Sequence, residues 1–227
     1  MSISDRTKPS LDDARSRIDR AKQHIASLED EIVAVIPPNR TITAAAPGGS
    51  FMGGGTQLLR VPPILPILIG EAIYNLRAAL DYLVFELAYL DTGTPKSGTK
   101  FLIEPTEKGW NNHLTAPTGK ERRKLWLPEL TAAHQAALKR LQPCYGCKWT
   151  GTLRDLSNPD KHRRLLGVVA TIDQLGYGAI PGGGAVMVTF QLTTKVAFED
   201  ASPVVETLKL LQEQVADVIE AFDPDFG

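Results

Sequence analysis

LDDARSRIDRAKQHIASLEDEIVAV, residues 11–35, places an apolar residue every seven positions: Leu11, Ile18, Ile25 and Ile32. Ala14, Ala21, Leu28 and Val35 fill the second apolar position of each heptad. At 3.6 residues per turn both sets fall on one stripe, so the spacing predicts a long amphipathic helix. Ser10, with Asp13 three residues later, predicts a capping box, and Pro37-Pro38 ends the helix. Alanine at two seam positions lets a neighbour approach closely. Either another helix of this chain or a second copy can supply that neighbour, and the leading functional expectation is a homo-oligomer formed through a terminal helix seam.

The C-terminal end repeats the pattern. After Ser202-Pro203, residues Val204, Leu208, Leu211, Val215, Val218 and Phe222 keep a 4-3-4-3-4 rhythm. The two terminal helices are therefore expected to pack on each other. Between them, Ile69, Ala72, Ile73, Leu76, Ala79, Leu80, Leu83, Val84 and Leu87 make a broad apolar face, which predicts a central helix from about Leu68 to Leu90.

Strands are expected beside glycine-rich turns. Thr41 to Ala46 and Thr56 to Val61 flank the tip Pro47 to Gly55, which predicts a hairpin. The tip lacks the Gly-Lys-Ser/Thr of a phosphate loop and opens no helix. Ala185 to Leu192 is expected to pair with Val196 to Phe198 across Thr193-Thr194-Lys195. Residues 91 to 120 read as a Gly-, Pro- and Thr-rich connection with a short strand at Phe101-Leu102-Ile103. A helix is expected from about Pro128 to Leu141, and another from Pro159 with Asn158 as its cap. The resulting fold class is α+β: one mainly helical domain over residues 1–227, with long terminal amphipathic helices, β-hairpins and a flexible tail at residues 1–9.

Hydrophobic residues at 43% and charged residues at 22% are those of an ordinary globular protein. Net charge is −1, so the molecule as a whole is no polyanion binder. Charge is uneven, however: residues 101–170 hold 12 Lys or Arg against 6 Asp or Glu, and residues 171–227 hold 2 against 9. That asymmetry can steer an anion or let the two regions attract each other. Residues 1–9 have no apolar signal core and no long uncharged apolar run occurs, so a cytoplasmic protein without a membrane span is expected. Cys144-Tyr145-Gly146-Cys147 follows a helix end rather than a strand, and no further ligands stand at zinc-site spacing, so inert turn cysteines are expected, with no metal and no cofactor.

Two polar clusters carry the site expectations. Glu71, Asn75, Arg77 and Asp81 lie within the apolar central helix, where an ionised group is costly unless paired. They read as a structural ion pair or as a cleft in which Arg77, oriented by Asp81, grips an anion. Asp160, Lys161, His162 and Arg163 open the helix expected at Pro159. There His162 would face inward, one turn before Leu165, Leu166 and Val169, in the neutral form suited to acid–base work. His134, aligned with Leu130 and Leu138, reads as packed.

The stretch Gly70 to Val84, with its Asn-Leu-Arg-x-Ala-Leu-Asp-x-Leu-Val core, and the later Asp160-Lys161-His162-Arg163 helix start resemble a family of uncharacterised bacterial proteins. That resemblance spans most of the chain and implies no particular activity. Arg154-Asp155, followed after six residues by His162, is similar to the Arg–polar–His pattern of HEPN-fold ribonucleases. It implies metal-independent RNA cleavage with Arg154, His162 and Asp160 as catalytic residues, and Lys120, Arg122, Arg123 and Lys124 would suit RNA. The leading expectation is a non-catalytic binding protein with an anionic ligand held by Glu71, Asn75, Arg77, Asp81, Lys161 and Arg163. The ribonuclease is the alternative.

Overall fold

The heptad stretch forms α1, Asp12–Val35, in a computed structural model that describes residues 8–35, 39–47, 62–115, 125–157, 167–179, 185–198 and 200–227. It packs against α2, Ile64–Thr92, the longest helix, and both contact the C-terminal helix. In chain order the other elements are β1 (Asn39–Pro47), α3 (Glu107–Leu114), α4 (Ala132–Arg140), α5 (Lys148–Leu156), β2 (Gly167–Ala179), β3 (Ala185–Ala197) and α6 (Val204–Ala221). The body is mainly helical.

α2 is central because its apolar face is broad. Leu65, Ile69, Ala72, Ile73, Leu76, Ala79, Leu80, Leu83, Val84 and Leu87 are all buried. Each fully buried leucine or isoleucine contributes about 1.5–3 kcal/mol. The helix stops at Gly93, whose φ of 72° is left-handed and whose N–H reaches the Tyr89 carbonyl. Pro66 is accommodated because it falls in the first turn, where the amide has no intrahelical acceptor.

The α1 seam is consumed within the chain. Leu11, Ala14, Ile18, Ala21, Ile25 and Leu28 are buried by α2 and α6. Arg15 pairs with Asp223 and Glu29 with Lys209, so α1 and α6 run antiparallel. The terminal helices thus pack together as their rhythms require. An oligomer built on this seam, by contrast, loses its surface from Leu11 to Leu28. The N-terminus of α1 also departs from a capping box. The Ser10 hydroxyl accepts the Asp12 N–H, while the Ser10 N–H donates to Glu86 at 3.1 Å. Glu86, fully buried on α2, thereby ties the start of α1 to the core.

The strands form a three-stranded antiparallel sheet in the order β1-β3-β2. β1 pairs with β3, Ile42 opposite Phe190, and its expected partner, residues 56–61, lies outside the described residues. β3 runs unbroken through Thr193, Thr194 and Lys195, which face partners in β1 and β2, so no turn forms there. Two β-branched threonines favour a strand, and neither glycine nor asparagine is present to close a tight hairpin. Gly167–Ala179 is likewise strand, so Val169 belongs to β2 and not to a helix begun at Pro159. The end of β3 enters the helical core through the buried Val196 and Ala197, with Phe198 beside them.

Phe101-Leu102-Ile103 is buried but is not a strand. α3, within the expected connection, is capped by Thr106, whose hydroxyl accepts the Gly109 N–H, and buries Trp110. α4 starts later than its apolar spacing suggests. Pro128 sits in a 3-10 turn, and Thr131 caps the helix by accepting the His134 N–H. No described helix is long and apolar enough to cross a membrane.

Candidate functional site

Arg77 and Asp81, one helical turn apart on α2, converge on the backbone of a single residue. The Arg77 guanidinium donates to the Phe101 carbonyl, and Asp81 accepts the Phe101 N–H at 2.8 Å. Arg77 also lies over the Phe101 ring, 5.7 Å from its centroid. Together they satisfy both polar backbone groups of Phe101, which has no strand partner. The cluster therefore acts as a clamp on the chain.

Burial pushes the Asp81 carboxyl up, against the opposing pull of Arg77 and the Phe101 N–H. Burial likewise lowers Arg77. The folded protein thus holds the Asp81 proton more tightly than the unfolded chain does. Its stabilising contribution is complete below the ordinary carboxylate value of 3.8 and is lost as pH rises through the higher folded-state value. Asp81→Asn keeps an acceptor for Phe101 and never ionises. Urea denaturation at pH 4 and pH 7 should show the variant gaining on the wild type at the higher pH; a gap moving the other way contradicts the assignment.

The remaining members of the first cluster face elsewhere. Asn75 is buried, donates to the Glu71 carbonyl at 2.8 Å and accepts from Arg17 at 3.2 Å, joining α2 to α1. The Glu71 side chain is exposed. In α5, Arg154 makes two bonds to the neighbouring Asp155, at 2.8 and 3.1 Å. Asp160, Lys161, His162 and Arg163 lie outside the described residues, as do Lys120 to Lys124. Cys144 and Cys147 are free thiols around a 3-10 turn, and α5 begins only after the second. Burial pushes the Cys144 thiol up, away from the reactive thiolate.

The most organised polar group surrounds a residue that reads from sequence as packing. His134 is buried on α4, and its Nδ1 lies 2.8 Å from Asp91 Oδ2 near the end of α2. The same Asp91 oxygen accepts the Thr131 N–H at 2.7 Å. The Asp91 side chain is only 5% exposed, so its charge is strongly committed to these two donors. An ionised carboxylate can only accept, so the hydrogen shared with Asp91 belongs to Nδ1 and the ring's orientation is fixed. On the other side, Nε2 lies 3.5 Å from Oδ2 of Asp225, in the C-terminal 3-10 turn Asp223–Phe226. Phe222 packs at a tilt against the ring, centroids 6.3 Å apart.

His134 and Asp225 line a cleft of about 380 Å³ between α4 and α6. Its walls are alanines, Leu141, Val218 and Phe222, and Arg140 supplies a cation. An apolar hollow with a few convergent polar groups is the ordinary form of a small-ligand site. No serine, threonine, cysteine, lysine or tyrosine stands among the residues lining it.

The i, i+4 placement of His134 between Leu130 and Leu138 correctly signals burial. It is silent about Asp91 and Asp225, 43 residues before it and 91 after it. A buried histidine near a helix start, with aspartates at the ends of two other long helices, is the signal that was present. No family model matches the chain, and no curated protein or solved structure matches it either.

Proposed function

We propose that this is a ligand-binding protein whose site is the cleft between α4 and α6, with an anionic small molecule as its ligand. One observation carries the reading: a buried imidazole, locked by Asp91 through Nδ1, bordering an apolar hollow with Arg140 in its wall. Pre-set polar groups in the cleft lower the ordering cost of binding. The aspartate–histidine pair is also the arrangement of a general base. Binding is nonetheless favoured, because the cleft is walled mainly by apolar side chains with Arg140 placed to meet an anion. Arg154 is paired with Asp155, and no described contact favours the ribonuclease alternative.

The rest of the reading follows the sequence. The fold is α+β, with the sheet joined to the helical body through the end of β3. The free thiols of Cys144 and Cys147 suit a reducing cytoplasm. Any homo-oligomer would use a surface other than the α1 seam.

Amide NMR spectra recorded against a panel of small carboxylates and phosphates test the function. At least one compound should shift Ala137, Leu141, Val218 and Ala221, and Arg140→Ala should weaken that binding at least several-fold. A panel that leaves these amides unmoved, or that shifts them equally in Arg140→Ala, contradicts the proposal.

A further inference from the structure

Among the residues lining the cleft, Asp225 is the one carboxylate, and its Oδ2 lies 3.5 Å from His134 Nε2. Protonated, the imidazole donates from both nitrogens, to Asp91 behind it and towards Asp225 in the cleft. The polar edge of the cleft therefore already holds a carboxylate, and the chain itself supplies it.

Charge decides how much more the cleft accepts. The protonated ring offsets Asp91, and Asp225 offsets Arg140. With Asp225 turned out to solvent, one uncompensated positive charge is left, which suits one anionic group. A second would leave water without a counter-charge, at a cost. The remaining lining is Ala133, Ala137, Leu141, Val218, Ala221 and Phe222, which favours an apolar body on the ligand.

Asp225 is placed to give way. Its side chain is 43% exposed, and its distance from Nε2 exceeds the 2.8 Å that joins Nδ1 to Asp91. A part-exposed ion pair of this length is weak. It stands in the 3-10 turn Asp223–Phe226, whose hydrogen bonds are poorer than those of an α-helix.

We propose, resting on the reading of this cleft as an anion site, that its ligand is a small monocarboxylate with an apolar body and that Asp225 is the ligand's built-in competitor. Asp225 holds the His134 edge until the ligand's carboxylate displaces it, and the apolar body then lies against Leu141, Val218 and Phe222.

The test is titration of the full chain with hexanoate, followed by the amide NMR signals of Ala137 and Val218, in wild type, Asp225→Asn and Asp225→Ser. Hexanoate should bind all three, about fivefold more tightly to the variants, which corresponds to about 1 kcal/mol of competition removed. Asp225→Ser withdraws the group altogether and covers the case in which asparagine keeps the contact through its amide. In wild type the Asp225 carboxyl carbon signal should move with the same saturation curve. Succinate and inorganic phosphate should bind more weakly than hexanoate. Circular dichroism confirms that each variant is folded.

Equal or weaker binding in both variants, or an Asp225 signal that stays still at saturation, overturns the competitor. No hexanoate binding, or a preference for succinate or phosphate, overturns the ligand class. In each case another compound that moves the cleft amides still upholds the anion site, whereas a panel that moves none of them removes that reading as well.

Discussion

Asp91→Ala should lower the unfolding free energy by about 3 kcal/mol, the scale for removing one partner of a buried, hydrogen-bonded polar pair. Asp91 accepts from both the His134 ring and the Thr131 amide, and it joins the end of α2 to the start of α4. Without it, His134 keeps a buried Nδ1–H with no acceptor, and the α4 N-terminus loses a tether. For a chain of this size the loss corresponds to a fall in Tm of about 6–12 °C. Urea denaturation measures it. A loss below 1 kcal/mol would show that the His134 ring finds other partners and that Asp91 does not set its orientation.

Leu80→Ala should cost about 2–5 kcal/mol, through lost burial and the cavity left behind. Leu80 is fully buried at the middle of α2, the helix that contacts both terminal helices. Leu210→Ala provides the contrast, because Leu210 is 54% exposed on α6 and its loss should stay within about 0.5 kcal/mol. Comparable losses at the two positions in chemical denaturation would mean that α2 is not the centre of the core.

These two substitutions mark what the sequence makes legible and what it hides. Leu80 is found by periodicity alone, since local spacing fixes which face of a helix is apolar. The same holds for the α1 and α6 seams, whose rhythms anticipate buried rows from Leu11 to Leu28 and from Val204 to Phe222. Spacing did not show that α1 would be covered by its own chain. A heptad records that a neighbour exists, not whose it is.

Arg77 and Asp81 were legible as a pair needing compensation, but their shared target, the Phe101 backbone, is a tertiary fact. Phe101-Leu102-Ile103 shows the same limit from the other side. Its composition suits a strand, yet the backbone hydrogen bonds of Phe101 go to side chains of α2. Thr193-Thr194-Lys195 lacks the glycine or asparagine a tight turn requires, and β3 continues through it. The His134 cleft was the least legible feature, because Asp91, His134 and Asp225 come from three distant places in the chain.

Asp91 fixes the His134 ring with hydrogen on Nδ1 and Nε2 turned towards Asp225. Long-range proton–nitrogen NMR of the imidazole reads this directly, at a pH where the ring is neutral. A protonated-type Nδ1 signal and an unprotonated-type Nε2 signal are expected, with that difference lost in Asp91→Ala. A neutral ring carrying its hydrogen on Nε2, or one averaging freely between the two forms, would contradict it.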